Sequence, residues 1–598
     1  MTASKPTSLP IFGTNKLNTF IAAFVAASVF TVVFSYNAMP HNAGGFLHST
    51  DDMVRMVIVR DWLAGQSWFD PILHRLGFEP GTVMHWSRLI DAPIGLLIWI
   101  GGLFGNGEHF AAYTWPFITF VAALAGILTS VRRASGSGNV IPALIIGGFG
   151  LWSWGAFQSG VIDHHNAQTA LGMWLVASVL PSHESKLNFT LAAILMALML
   201  AIGIESVPFA IAGALAILAR LIGEREALYE PVRRFGLTLA VAITTLFFLL
   251  LGPQNYHQTY CDSLSLFHLL CAGTGGILLY IGLHPSLRAM LPAPALTVPS
   301  IAGAMVVLVA VVFFPQCLAD PVAGIDPVLR HYWLDYIMEA QNVFKVARLD
   351  PWLLLYQYAL TVIAFGVLAW QCIMGQHRVL NVLLLIFLLI TTAVTLFQMR
   401  GIQQSGPVAG LILSIVVTRF MHGTGKTKPL AGLIALIVCC NLFWKLGVMG
   451  GMALFAAEPG PLMNQSKAEI QNICRTPDDL ATLDAEKPGF IAAANGLGAW
   501  LLFATDHRVL AGPYHRNNAG NLAAVNIMIG TPEQAHQIMK DRGITLFAAC
   551  PQFVDEQQIL REVPNGFLGQ VLGGKKVEWL EPIDSTMGKP LKLWRVRG

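Results

Sequence analysis

Charge is what this sequence has least of. Lys, Arg, Asp and Glu make up 12% of its 598 residues and hydrophobic residues 55%, whereas an ordinary soluble domain is about a quarter charged. So few charges exclude a soluble globule of this length. Basic residues exceed acidic ones only by 37 to 34 and follow loop position, so nucleic acid is excluded as an expected partner. A small-residue cleavage site is missing after the apolar stretch from Thr19 to Ser35, which predicts a retained first span in place of a signal peptide. Long apolar runs are missing at one end only: they recur from Asn18 to about Gly451 and then stop. The expected division is a membrane domain over 1–456 and a water-soluble domain over 457–598.

Lys and Arg stay on the cytoplasmic side in short connections. They sit at Lys5 and Lys16, Arg132 and Arg133, Lys186, Arg220 to Arg234, Arg288, Arg378, and Arg419 to Lys428, in every second loop. The intervening loops carry Asp, His and aromatics, and the longest are 37–109 and 315–351. This alternation predicts about thirteen spans with the N-terminus inside and the C-terminus outside. They are read at 18–36, 110–130, 140–157, 166–181, 188–204, 207–221, 235–251, 267–284, 298–314, 352–373, 379–397, 406–420 and 430–452. The segment from Ala92 to Phe104 is short for a span and reads as an interfacial or re-entrant helix. Cys271, Cys372, Cys439 and Cys440 fall in spans, while Cys261, Cys317, Cys474 and Cys550 fall outside. Four external thiols can make two disulfides in an oxidising compartment, although small membrane and core positions also hold Cys unpaired.

Chemistry is expected in the acidic outer loops. Asp51 and Asp52 stand just beyond the first span, and Arg60 follows. Adjacent carboxylates there either cap a loop helix or hold a metal, a proton or an ion pair. Asp163, His164 and His165 place three potential ligands within one turn, where Asp163 can equally be a helix cap. Glu339 lies in the loop 315–351; taken alone it reads as a solvated carboxylate, and it gains weight from facing the same side as the other two acidic patches. Arg400 ends a span on that side and can pair with a lipid phosphate or snorkel to the interface. Glu205 lies near a membrane boundary with its role left open.

In these motifs the chain resembles the GT-C glycosyltransferases, and within them the catalytic subunit of oligosaccharyltransferases. The shared features are thirteen spans with an outer C-terminal domain, Asp51 followed nine residues later by Arg60, the run Ile162-Asp163-His164-His165 against a Val-Asp-His-His motif, and Glu339 with Gln341 against a Ser-Val-Ser-Glu motif. The resemblance implies a bacterial inner-membrane enzyme with a periplasmic active site. It would move a sugar or oligosaccharide from a polyprenyl phosphate or diphosphate donor to a glycan, lipid or protein acceptor among membrane lipids. Asp51, Asp52, Asp163 and Glu339 would be catalytic, with Asp51, Asp163 and Glu339 around Mg²⁺ or Mn²⁺. Arg60, His164 and His165 would contact substrate; Arg400 and His515 are read as substrate contacts from their own positions, where an ordinary surface loop explains His515 equally well.

One family motif is lacking. Where relatives carry Trp-Trp-Asp-Tyr-Gly, this chain reads Ala493-Ala494-Asn495-Gly496-Leu497-Gly498, so sequon-dependent protein N-glycosylation is not expected. The soluble domain reads as α/β. Strands are expected at Phe490 to Ala492, Val509 to Pro513 and Ile544 to Cys550, with a helix from Pro532 to Arg542, an alternation that suggests a parallel sheet. His515 follows the second strand. A lipid-sugar flippase or transporter is the alternative, and a membrane scaffold with an outer binding module is a third.

Overall fold

The computed structural model describes residues 16–35, 45–136, 140–181, 188–319, 324–423, 429–455, 457–458, 460, 474 and 476–597. Lys5, Lys186, Lys426 and Lys428 lie outside these. Eight helices are long and apolar enough to cross a membrane, and a ninth span arises if the pair Pro429–Val438 and Asn441–Leu454, bent by 69° at the intervening cysteines, counts as one. The remaining expected spans fall on shorter helices, at Ala143–Trp152, His165–Val179, Asn188–Ile202 and Leu266–Gly282. By length and composition alone, eight or nine spans qualify among the described residues, and the other expected spans correspond to these shorter helices. At ~1.5 Å per residue the 15-residue helix His165–Val179 reaches only ~22 Å, short of a ~30 Å hydrocarbon core.

Apolar residues cover the outside of the bundle. Only 17% of the most apolar stretch of Pro294–Phe313 is buried, and Val307, Val312 and Phe313 are exposed on it. Such a surface is stable only where the solvent is itself apolar, so this is a membrane protein. Inside, Phe120, Leu124, Met173, Leu175 and Phe387 belong to one continuous core.

The first outer loop is a folded unit. Ser49 and Asp52 form a capping box that starts the helix Thr50–Leu63, supplying partners for two otherwise orphaned N–H groups. Residues Asp52 to Val59 are all buried, because the helix is enclosed on every side. It packs against the helix Asn495–Ala504 of the C-terminal domain, and Met53, Val57, Leu497 and Trp500 share one core. A short hairpin, β1 (Ile72–Leu73) and β2 (Thr82–Val83), follows. Beyond it the segment Ala92 to Phe104 lies largely within the helix Arg88–Gly102.

The C-terminal domain carries the strands β3 (Phe490–Ala492), β4 (Arg508–Val509), β5 (Leu546–Ala549), β6 (Leu580–Pro582) and β7 (Lys592–Val596), in the order β4-β3-β5-β7-β6. Pairing is parallel across β4, β3 and β5 and antiparallel at β7 and β6. The expected parallel sheet is thus a mixed one, the last two strands forming a returning pair on its edge. The expected second strand shrinks to Arg508–Val509, and its outer edge meets the first outer loop. There Leu76 bridges Val509, with Gly77 N donating to Val509 O at 2.8 Å and Val509 N to Arg75 O at 2.8 Å. Gly498 must be glycine, since a Cβ there would stand 1.9 Å from Ala511 O. Both disulfides form, Cys261–Cys317 and Cys474–Cys550, while Cys271, Cys372, Cys439 and Cys440 are free thiols.

Candidate active site

Asp52 is the hinge on which the site is built. Its Oδ2 accepts from Ser49 N and Ser49 Oγ, both at 2.8 Å. Its Oδ1 accepts from Ile162 N at 2.7 Å and Asp163 N at 3.1 Å. One carboxylate thus starts the first-loop helix and pins the second outer loop to it. Burial, then the neighbouring Asp163 carboxylate, push Asp52 up to about 7 against these donors. With both oxygens engaged, Asp52 holds the two loops together. Gly160 makes the approach possible: its φ is +94° and a Cβ would meet Phe46 O at 2.3 Å, a conformation and a clearance only glycine offers.

Pinned in this way, Asp163 enters a network of opposite charges. His164 N donates to its Oδ1 at 2.6 Å and the His164 ring contacts the same oxygen, while His165 Nε2 lies 3.3 Å from Oδ2. His164 Nε2 faces Glu205 Oε2 at 3.6 Å. Burial opposes a charge on His164, but Asp163 and Glu205 on its two sides raise it to about 9. A protonated imidazole has no free lone pair, so His164 serves as counter-ion and His165 remains the better ligand. Asp163 is also held by Arg55 Nη2 at 3.7 Å; Arg55 Nη1 bonds Asp91 at 2.7 Å, and its guanidinium lies 4.2 Å from the Trp86 ring centroid.

Asp51 and Glu339 complete the group. Tyr514 OH donates to Asp51 Oδ1 at 3.1 Å. Burial, then Asp163 and Glu339, raise Asp51 to about 6, so three carboxylates share one electrostatic neighbourhood. Glu339 is brought there by the bond from Met399 N to Gln341 O at 2.7 Å. Arg400 then reaches Glu339 Oε2 at 3.2 Å and Glu205 Oε1 at 3.6 Å. Asp51, Asp163, His164, His165, Glu339 and Arg400 are therefore brought together, with Glu205 joining them.

Two expected site residues are placed elsewhere. Arg60 forks onto Glu108 at 2.6 and 2.7 Å and donates to Phe503 O at 2.9 Å. Nine residues along a helix is about 900°, half a turn out of phase, so Arg60 points away from Asp51. His515 faces Asp262 Oδ2 at 2.8 Å, outside the carboxylate group. Sequence reading missed Arg55, although its position four residues after Asp51 puts it on the same helix face. It also missed Tyr514, for which no local pattern exists.

The donor set fits a divalent cation. Asp163 Oδ2 and His165 Nε2 lie 3.3 Å apart, and three crowded carboxylates are relieved by added positive charge.

No protein-family model and no curated protein sequence matches the chain. Among solved structures it is similar to the archaeal oligosaccharyltransferase AglB from Archaeoglobus fulgidus in complex with an inhibitory peptide and a dolichol-phosphate. Identity there is 13%, with 95% of this chain and 72% of that chain covered and a TM-score of 0.63. An oligosaccharyltransferase from the same organism, tethered with an acceptor peptide containing the NVT sequon, is similar at 15% identity, 92% and 71% coverage and TM-score 0.61. Its complex with Zn and sulfate is similar at 12% identity, 89% and 67% coverage and TM-score 0.59. At such identities the likeness is one of architecture: the chain shares the fold of that archaeal oligosaccharyltransferase.

Proposed function

We propose that the protein is a membrane glycosyltransferase that moves a sugar or oligosaccharide from a polyprenyl phosphate or diphosphate donor to an acceptor at the outer, periplasmic face of a bacterial inner membrane. The observation that carries this is the meeting of Asp51, Asp163 and Glu339, from three outer loops, beside Arg400. The neighbours' complexes with dolichol-phosphate, with acceptor peptide and with Zn and sulfate support the reading. The division of the chain at 456/457 into membrane and outer domains belongs to the same reading.

Asp51, Asp163 and Glu339, with His165, would hold the cation, Mg²⁺ or Mn²⁺; oxygen ligands suit either, and the imidazole favours Mn²⁺. When bound, it supplies neutralisation of the charge that develops on the leaving phosphate. The residues do the rest. Arg400 presents a guanidinium to the donor phosphate, exchanging one carboxylate partner for another anion. Asp51, raised by burial and oriented by Tyr514, orients the acceptor and takes its proton. His164 holds Asp163 and Glu205 apart as a charged spacer. The acceptor is a glycan, lipid or protein group other than a sequon, because Ala493 to Gly498 lacks the Trp-Trp-Asp side chains.

The test is transfer from purified lipid-linked sugars by full-length protein. Asp51→Asn should lower the rate by a factor of at least about 100 with unchanged thermal unfolding, and Asp163→Asn should lower it as far together with the thermal midpoint, since it leaves Arg55 and His164 without a buried counter-charge. Undiminished transfer by both variants would sink the assignment.

A further inference from the structure

Beside the carboxylate group stands a second cluster that the proposed reaction does not use. His85 follows β2 in the first outer loop, Asp262 lies in the outer loop before the helix Leu266–Gly282, and His515 opens a short turn of the C-terminal domain. One ligand atom from each lies within 4.8 Å of the others, and the His85 and His515 rings are 5.1 Å apart. These residues are separated by hundreds of positions, yet their placement is firm. Cys261, adjacent to Asp262, is bonded to Cys317. Arg516 donates to both Asp262 oxygens, at 3.0 and 2.5 Å, to Ser263 Oγ at 2.9 Å and to Met84 O at 3.3 Å.

Two further observations point to a ligand. His85 Nδ1 is shielded from solvent and makes no hydrogen bond. The cluster also adjoins a cavity of about 80 Å³, lined by His85, Trp86, Arg88, Tyr260, Leu264 and Arg516 among others.

We propose that His85, Asp262 and His515 form a second cation site that takes a transition-metal dication of the Zn²⁺ type and ties both outer loops to the C-terminal domain. Two imidazoles and one carboxylate are the donor set that suits a borderline ion, whereas a hard cation takes oxygen. Bonds of ~2.1 Å put tetrahedral ligands ~3.4 Å apart, so the cluster closes by at most about 1.4 Å. The 2.8 Å contact between His515 Nε2 and Asp262 Oδ2 is where a proton occupies the place of the metal. A carboxylate offers about four lone-pair directions, so Arg516 retains its hold while the ion takes another direction. Three protein ligands leave the fourth position to water or to an anion.

The test uses full-length protein in detergent, stripped with chelator and titrated with Co²⁺ alone, on an Asp163→Asn, His165→Ala background that disables the first site. This background should bind one Co²⁺ per chain with the visible absorption of a four-coordinate ion, displaced by Zn²⁺. Adding His85→Ala or His515→Ala should weaken that binding at least about tenfold. Absence of Co²⁺ from the Asp163→Asn, His165→Ala protein overturns the proposal even if the further variants do not fold. Equal affinity with and without His85→Ala and His515→Ala overturns it too.

Discussion

Arg55 shows how much of the site rests on a single buried charge. It has no exposed side-chain surface and faces Asp91, Asp163 and the Trp86 ring. Removing one partner of a buried pair leaves the other uncompensated, at a cost of about 3–5 kcal/mol. Arg55→Met should lower the thermal midpoint of the whole protein and abolish transfer with it. Arg60 provides the contrast. Its ion pair with Glu108 is about one-third exposed, so Arg60→Ala should remove only about 1 kcal/mol and leave kcat and KM close to those of the parent. A large kcat loss at unchanged stability would place Arg60 in the chemistry after all. Also at this scale is the cation. Transfer should stop in excess chelator and return with Mn²⁺ or Mg²⁺, and Asp163→Asn should weaken metal dependence and activity together. Full activity under chelation would leave Asp51, Asp163 and Glu339 as base and orienting groups alone.

Among the elements, the C-terminal sheet carries its own pH dependence. Glu556 is fully buried with Oε1 accepting from Cys550 N at 2.9 Å, and Oε2 makes no hydrogen bond. Burial raises its carboxyl to about 8, from about 4.3 in an unfolded chain. Between those values the folded state binds the extra proton, so stability falls as pH rises. This contribution is fully present below about pH 4 and lost by pH 8, on the order of a few kcal/mol. Glu556→Gln keeps the neutral shape, so unfolding measured at pH 5 and pH 8 should differ less in this variant than in the parent. An identical pH profile would mean that Glu556 is ionised in the fold. The helix Thr50–Leu63 belongs to the same scale, since a capped helix near Asp51 was legible in the sequence, although the N-cap is Ser49. Its use of Asp52 to hold a loop 110 positions away was not.

At the scale of the whole molecule, orientation is the central expectation. A reporter fused after Arg133 should report cytoplasm and one after the C-terminus periplasm. The reverse signal at the C-terminus would take the outer domain out of the proposed reaction compartment. The sequence by itself determined the membrane class, the apolar segments, the acidic outer loops and the α/β character of the last ~140 residues, because composition and periodicity are local properties. It also marked Asp51, Asp163 and Glu339, since each stands in a short motif. Span length, the mixed sheet and the partners of each site residue were decided only by tertiary structure. Arg60 was assigned by its spacing from Asp51 and His515 by its place after a strand, and neither says which way a side chain turns. Arg55, Tyr514, Asp262 and His85 acquire meaning only when the first outer loop, the loop holding Cys261 and the C-terminal domain meet. That meeting is set by a shared core around Met53 and Trp500 and by strand pairing at Val509, contacts between residues more than 400 positions apart that no local pattern encodes.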